Sequence, residues 1–132
     1  MWFYGINVIT EALRSSRRPT RLVFQAGKDN ARLQHLRHAA AAAAIPLETA
    51  PHLDALVGAD AVHQGVAAEL AGPWERRLAE LPADVDRVVI LDGISDPHNF
   101  GAALRVCEVF GYPYVLYHRG NSSGLTPAAF KV

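Results

Sequence analysis

Segment 92–99 is polar and carries the side chains best suited to acid–base chemistry. Asp92 and Asp96 are carboxylates of the kind that a hydrolytic site uses as general acid and general base. Their spacing of four residues, within a turn that contains glycine and proline, instead favours a role in forming that turn. His98 can contact a nucleic acid or a nucleophile, but its position directly after a proline favours a role in shaping the same turn.

Asn99 and Arg105 are the next candidates, and their residue types leave alternatives open. An asparagine at the start of a helical pattern is favoured as an N-terminal helix cap. Arg105 lies in a largely apolar helical pattern and can pair with Glu108 three residues later or extend its guanidinium into solvent. Six residues of helix correspond to about 600° of rotation, so Asn99 and Arg105 do not share one helical face.

Four arginines form the densest basic cluster of the chain, namely Arg14, Arg17, Arg18 and Arg21. Arginine suits phosphate contacts and stacking on exposed bases, although a solvated helix end and loop would have the same composition. Residues 1–38 carry seven Lys and Arg against two acids, for a net charge of +5, whereas the whole chain is neutral. Salt confines the reach of each charge to about 10 Å, so this basic third can attract a polyanion at short range even though the whole chain is neutral. A weaker extension comprises Arg32, Arg37 and His38. The aromatic run 2–4 could be a stacking platform, but packing of the N-terminus is the favoured interpretation.

The elements around segment 92–99 have a βαβ pattern. The run 88–91 is apolar and rich in β-branched residues, which predicts a strand buried on both faces, as in a parallel sheet. From about Asn99 the apolar residues recur at helical spacing until a glycine and a proline end the helix. A second apolar run, 114–117, predicts the next strand. In such sheets ligands bind at the loops after the carboxyl ends of the strands, which is where segment 92–99 lies.

Residues 1–70 alternate short predicted strands and helices, which indicates a compact α/β domain. Asn7 is predicted to cap the first helix, because asparagine is favoured there. Residues 71–86 are predicted to be a linker that contains a short amphipathic helix at 74–81. Residues 87–132 then form a second domain.

Several classes of protein are excluded by composition. A single cysteine excludes an internal disulfide, and the absence of Cys/His clusters with zinc spacing predicts no metal site. No apolar run is long enough to cross a bilayer, and the N-terminus lacks the features of a secretion signal. We therefore expect a cytoplasmic protein with no membrane partner.

The second predicted domain has few elements for a parallel sheet. Two strands leave apolar faces uncovered, and a final helix that begins at Thr126 and Pro127 has only five further residues. The chain is therefore expected to be the N-terminal part of a longer protein.

Residues 91–111, LDGISDPHNFGAALRVCEVFG, closely resemble the first motif of the SpoU (TrmH-type) RNA ribose 2′-O-methyltransferases of the SPOUT superfamily. Residues 122–127 resemble the segment after that family's second strand. Residues 4–13 and 63–67 resemble its small N-terminal RNA-substrate-binding domain, which is similar in fold to certain RNA-binding ribosomal proteins. The resemblance implies that domain followed by the first βαβ part of a knotted methyltransferase domain, with the knot itself absent.

What the family resemblance implies is transfer of a methyl group from S-adenosylmethionine to a ribose 2′-hydroxyl, in ribosomal RNA rather than transfer RNA, by a homodimer. The motif's catalytic asparagine and arginine fall on Asn99 and Arg105. The family's arginine is thought to assist deprotonation of the hydroxyl and to hold a phosphate. The second role is favoured, because a guanidinium stays protonated and so cannot accept a proton. The cofactor-binding and knot motifs would fall beyond Val132. The chain alone is therefore not expected to bind the cofactor, and it can be monomeric.

A rival hypothesis is a stand-alone RNA-binding module with a non-catalytic second domain, which predicts salt-sensitive RNA binding by residues 1–70 alone. A nucleotide-binding or redox domain would need a glycine-rich phosphate loop, and segment 92–97 lacks the required glycines.

Overall fold

The structure, a computed structural model, consists of two compact units, Met1–Gly72 and Pro73–Val132. It describes residues 1–72, 74–127 and 129. Both units combine strands with helices, which is the α/β class that the sequence pattern predicts. No described helix has the length and apolar character needed to cross a membrane.

The first unit is a four-stranded sheet with three helices. Its elements are β1 (Trp2–Tyr4), α1 (Ile6–Arg14), β2 (Arg21–Gln25), α2 (Ala31–Ala42), β3 (Leu47–Ala50), α3 (Asp54–Val57) and β4 (Val66–Glu69). The strand order is β1-β4-β2-β3, in which β2 and β3 are parallel and the other pairs are antiparallel. Large side chains from the sheet and both longer helices fill the core, among them Ile9, Leu22, Phe24, Leu33, Leu36 and Val66.

The first helix does not begin as its local sequence predicts. Helix α1 begins at Ile6, and Gly5 occupies the cap position with a φ of 91°, so the prediction that Asn7 caps it is wrong. The Ile6 N–H donates to Oε1 of Gln64 at 2.9 Å, so a side chain distant in sequence satisfies the helix start. Helix α2, by contrast, has an ordinary local cap, because Asn30 Oδ1 accepts from the Leu33 N–H at 3.0 Å.

The N-terminal aromatic run is part of the sheet. Residues 2–4 form β1, which pairs with β4, and Phe3 is buried in the core. The expectation that this run packs at the N-terminus is therefore confirmed.

The second unit contains the βαβ arrangement that the sequence predicts. Its elements are β5 (Val89–Leu91), α4 (Pro97–Val109) and β6 (Val115–Tyr117), with β5 parallel to β6. The amphipathic helix predicted for 74–81 is reduced to one 3-10 turn, Leu78–Glu80. The ring of Phe100, fully buried, meets Tyr117 edge-on with 5.0 Å between centroids and packs with Leu91.

The prediction that run 88–91 is buried on both faces is wrong for the described residues. Leu91 is buried, whereas the neighbouring Ile90 is 69% exposed. Successive side chains of a strand point to opposite faces, so the described residues cover the Leu91 face but not the Ile90 face.

Gly101 allows the chain after β6 to approach helix α4 closely. A Cβ at this position would lie 3.0 Å from the carbonyl carbon of Ala129 and closer still to its oxygen. Thr126 Oγ1 accepts from the Ala129 N–H at 3.3 Å, as a helix cap would. The rest of the helix predicted there, residues 128 and 130–132, lies outside the described residues, as does Pro73 of the predicted linker.

Candidate functional site

Two polar loops meet at the carboxyl ends of β5 and β6. The loop after β5 and the loop after β6 are joined because Asn121 Nδ2 donates to Asp92 Oδ1 at 3.2 Å. A second link runs from the Ser123 N–H to the carbonyl oxygen of Ile94 at 2.8 Å. The structure thus brings both loops to one edge of the parallel pair, where ligands of such sheets bind.

The two aspartates of the first loop have structural roles, as their spacing predicts. Asp96 caps helix α4 by accepting from the His98 N–H at 2.9 Å, and Pro97 occupies the first helical position. Asp92 accepts from Asn121. The His98 side chain is exposed, while its backbone completes the turn.

Asn99 and Arg105 both lie on helix α4 and both are exposed. Asn99 is the third residue of the helix, so the alternative that it is the cap is wrong, since Asp96 fills that position. The two residues are separated by about 9 Å along the helix axis and point in different directions. Arg105 forms no ion pair with Glu108 or with any other acid in the part of the chain that the structure describes.

Glu75 belongs to the same edge, and the sequence gives no signal for it. Its carboxylate accepts from the Tyr117 hydroxyl and forms an ion pair with Arg119, at the end of β6. Gly124 lies over the same tyrosine, because a Cβ there would be 3.4 Å from the ring. Glu75 falls in the stretch predicted to be a linker, where the sequence predicts no site residue.

Three of the four clustered arginines lie at or beyond the end of helix α1. Arg14 pairs with Glu11 at 3.2 Å, and both side chains are more than 70% exposed, so the pair contributes little to stability. Arg17 and Arg18 are exposed in the loop that follows. Cations at this end of a helix also complement its dipole.

Arg21, the fourth arginine of the cluster, is engaged with acids of the sheet. Its guanidinium bonds to Glu69 at 2.8 Å and to Glu48 at 3.1 Å, and it lies 5.0 Å from the centre of the Trp2 ring. The hydrogen bonds to Glu48 and then to Glu69 raise the pKa of Arg21. Two carboxylates bond to this cation, so Arg21 cross-links strands of the sheet; its contact with RNA stays a prediction.

His63 is a buried titratable group in the turn before β4. Its Nδ1 accepts from the Gly65 N–H at 3.1 Å, which requires a neutral ring. Burial, and secondly the charge of Lys28, lowers the pKa of His63, while Asp54 acts in the opposite direction.

We expect His63 to make folding of the chain sensitive to acid. The unfolded chain takes up this proton near pH 6.5 and the folded chain at lower pH, so the unfolded state binds more protons in between. The contribution of His63 is therefore complete above about pH 6.5 and is lost as the pH falls through the folded pKa. Urea midpoints followed by circular dichroism should be lower at pH 5 than at pH 7.5.

The control for this prediction is His63→Asn, whose Oδ1 can accept from the same N–H without titrating. The variant should show a smaller change of urea midpoint between the two pH values. An undiminished change would assign the acid sensitivity to other groups.

No group of three or more His, Cys, Asp or Glu side chains that could hold a metal ion occurs among the described residues.

Residues 2–74 match the family model described as RNA 2′-O ribose methyltransferase substrate binding. Curated relatives include the 23S rRNA (guanosine-2′-O-)-methyltransferase RlmB of Pseudomonas putida, 32% identical over 98% of this chain and 55% of that protein. RlmB of Yersinia pestis is 34% identical over 98% of this chain and 55% of that protein. The chain thus spans about half the length of these relatives.

Solved structures with the same fold come from two further bacteria. The SpoU methyltransferase AviRb of Streptomyces viridochromogenes, in complex with AdoMet, aligns with a TM-score of 0.72 at 16% identity, over 99% of this chain and 49% of that one. A putative RNA methyltransferase of the TrmH family from Porphyromonas gingivalis aligns with a TM-score of 0.64 at 22% identity, over 98% and 47%. At these identities the likeness establishes the fold.

Proposed function

The chain belongs to the RNA 2′-O ribose methyltransferase substrate-binding family of SpoU proteins, and we propose that the full-length protein methylates a ribose 2′-hydroxyl of ribosomal RNA. The observation that carries the proposal is the combination of this matched domain with motif 91–111 in a parallel βαβ unit. The names of the relatives favour a guanosine of 23S rRNA as the target.

We assign the steps to different parts of the chain. Residues 1–70 bind the RNA substrate, and residues 87–132 form the first part of the methyltransferase domain. Residues 71–86 are the linker between these two domains. The exposed Arg17 and Arg18, with Arg14, supply positive charge toward the RNA. We place the protein in the cytoplasm and expect the full-length form to be a homodimer, which sedimentation would measure.

S-adenosylmethionine is the proposed methyl donor, by analogy with the AdoMet complex of AviRb. When bound, it supplies an electrophilic methyl group. Asp92 and Glu75 at the polar edge are engaged by donors of this chain, so no cofactor-binding role is proposed for them. The roles proposed for residues of this chain therefore concern the RNA.

Arg105 is proposed to hold the phosphate next to the target ribose. A guanidinium forms paired hydrogen bonds with phosphate oxygens, and no acid of the described residues competes for this one. A 2′-hydroxyl is a weak nucleophile that must lose its proton as it attacks, so correct placement is a large part of its activation. Asn99, in the first turn of α4, is proposed to orient the ribose through its amide.

Methyl transfer to RNA tests the proposal directly. Full-length protein is incubated with isotope-labelled S-adenosylmethionine and unmodified large-subunit ribosomal RNA, and the RNA is digested to nucleosides. Label should appear in 2′-O-methylguanosine, and transfer RNA under the same conditions serves as the control. Label on a base would overturn the ribose 2′-hydroxyl as the acceptor, and no label at all would overturn the methyltransferase assignment.

An RNA-binding module without catalysis is the second candidate. The observation in its favour is that Met1–Gly72 forms a compact unit with its own sheet and core. Salt-sensitive RNA binding by the full-length protein, without methyl transfer under any tested condition, would select this candidate.

A further inference from the structure

A shallow depression of about 480 Å³ opens on the first unit beside the starts of helices α1 and α2. Six residues line it, and they are Ile6, Lys28, Asn30, Ala31, Arg32 and Gln64. None of the six is acidic and two are cationic. Both helix starts are already capped, by Gln64 and by Asn30, so the character of the depression comes from its side chains.

The two cations of the depression keep their charge unpaired. Neither Lys28 nor Arg32 forms an ion pair with any acid in the described ranges, whereas Arg14 and Arg21 do. Arg32 Nη2 donates to Asn7 Oδ1 at 2.5 Å, a neutral contact that orients the guanidinium without cancelling its charge. The nearby acid Asp29 accepts from Gln34 Nε2 at 3.0 Å.

The wall of the depression is held in place by the turn 63–65. Gly65 has a φ of 87°, and a Cβ there would lie 3.3 Å from Cβ and Cδ of Lys28, so the lysine stem rests on this glycine. Gln64 has a φ of 56°, which a non-glycine residue adopts only when surrounding contacts enforce it. Its Oε1 is fixed by the Ile6 N–H, and its amide nitrogen provides two further hydrogen-bond donors.

We propose that this depression binds backbone phosphates of the substrate RNA, with Lys28 and Arg32 as the cations and Gln64 as a neutral donor. This inference rests on the proposed function, which supplies RNA as the source of the phosphates. Two unpaired cations beside neutral donors select an anion. An open, shallow shape suits the exposed backbone of a polymer, because small-molecule sites are typically enclosed.

The experiment measures binding of full-length protein to an unmodified large-subunit ribosomal RNA transcript at 50–200 mM salt, a range in which phosphate contacts are strongly salt-dependent. The test variant is Lys28→Met with Arg32→Gln, which removes both charges and retains the apolar stem against Gly65. Each lost phosphate contact lowers the slope of log Kd against log salt by about 0.7–0.9, so two should lower it by about 1.5. We expect Kd at low salt to rise by about tenfold.

The matched control is Arg76→Gln with Arg77→Gln, which removes two exposed charges from the second unit. It should leave Kd within about twofold and the salt slope unchanged. If the Lys28/Arg32 variant loses its fold by circular dichroism, Arg32→Gln alone, at an exposed position of α2, gives half of the slope change.

The outcomes separate the site from the function. Wild-type RNA binding with no change in the Lys28/Arg32 variant would overturn the site and leave the proposed function intact. Equal losses in the test and control variants would overturn the site as well, since net charge would explain both. Absence of wild-type RNA binding would overturn the proposed function and the site together.

Discussion

Arg105→Ala in the full-length protein should lower methyl transfer to ribosomal RNA by at least about a hundredfold while the fold is retained. The side chain is exposed on helix α4 and, within the described residues, forms no ion pair, so its removal leaves no buried charge and no cavity. The loss should come from the turnover step, because a phosphate held beside the 2′-hydroxyl positions the nucleophile for attack. Single-turnover transfer of labelled methyl measures it.

Two further variants test the role assigned to Arg105. Arg105→Lys keeps the charge without the paired hydrogen bonds, so it should recover only part of the rate. Arg76→Ala removes an exposed arginine outside the motif and should behave as wild type. Unchanged methylation by Arg105→Ala would refute the role of Arg105 in holding the phosphate. It would also refute the use of the family's motif to assign that role.

Phe100→Ala should destabilise the second unit by about 3–5 kcal/mol. The ring is fully buried, packs against Leu91 and meets Tyr117 edge-on at 5.0 Å, so its removal leaves a cavity at the centre of the βαβ core. A loss of this size approaches the whole stability of a small domain. Amide hydrogen exchange of β5 and β6 measures the free energy of local unfolding.

Helix α4 supplies a matched control for this prediction. Phe110 lies ten residues later, directly after the last helical turn, and is 70% exposed. Phe110→Ala should change the free energy of unfolding by no more than about 0.5 kcal/mol. Equal effects of the two phenylalanine variants would mean that Phe100 does not hold the unit together.

Asn99 and Phe100 show how fold and proposed chemistry share one helix. Phe100 faces the sheet and is buried, while its neighbour Asn99 is exposed at the polar edge. Packing of the phenylalanine therefore sets the rotation of the helix, and this rotation directs Asn99 and Arg105. A substitution that shifts helix α4 should therefore reduce methyl transfer even when it changes neither Asn99 nor Arg105. The reduction should grow with the loss of stability.

Features that depend on short-range physics could be predicted from the chain alone. The strand–loop–helix–strand order of 88–117 follows from a change in apolar periodicity, and the structure has those elements. The turn-forming role of Asp92 and Asp96 follows from their place in a glycine- and proline-containing loop. The family could be recognised from motif 91–111, because a motif is a linear pattern.

Features that depend on partners distant in sequence required the tertiary structure. The cap of α1 comes from Gln64, which is 58 residues beyond Ile6, and not from the neighbouring Asn7. Arg21 is paired with Glu48 and Glu69, 27 and 48 residues away, which its place in the basic cluster does not indicate. Local sequence shows where a charge is, but not which carboxylate folds beside it.

The depression at Lys28 and Arg32 has the same origin. Nothing in the run 27–32 distinguishes its cations from the arginines near residue 17, and the sequence favoured the denser cluster. Folding brings Gly65 against Lys28 and Gln64 into the lining of the same depression, and neither cation forms an ion pair with an acid of the described residues. Charge density along a chain is a local property, whereas the charge available to a ligand depends on long-range packing, which the tertiary structure alone decides.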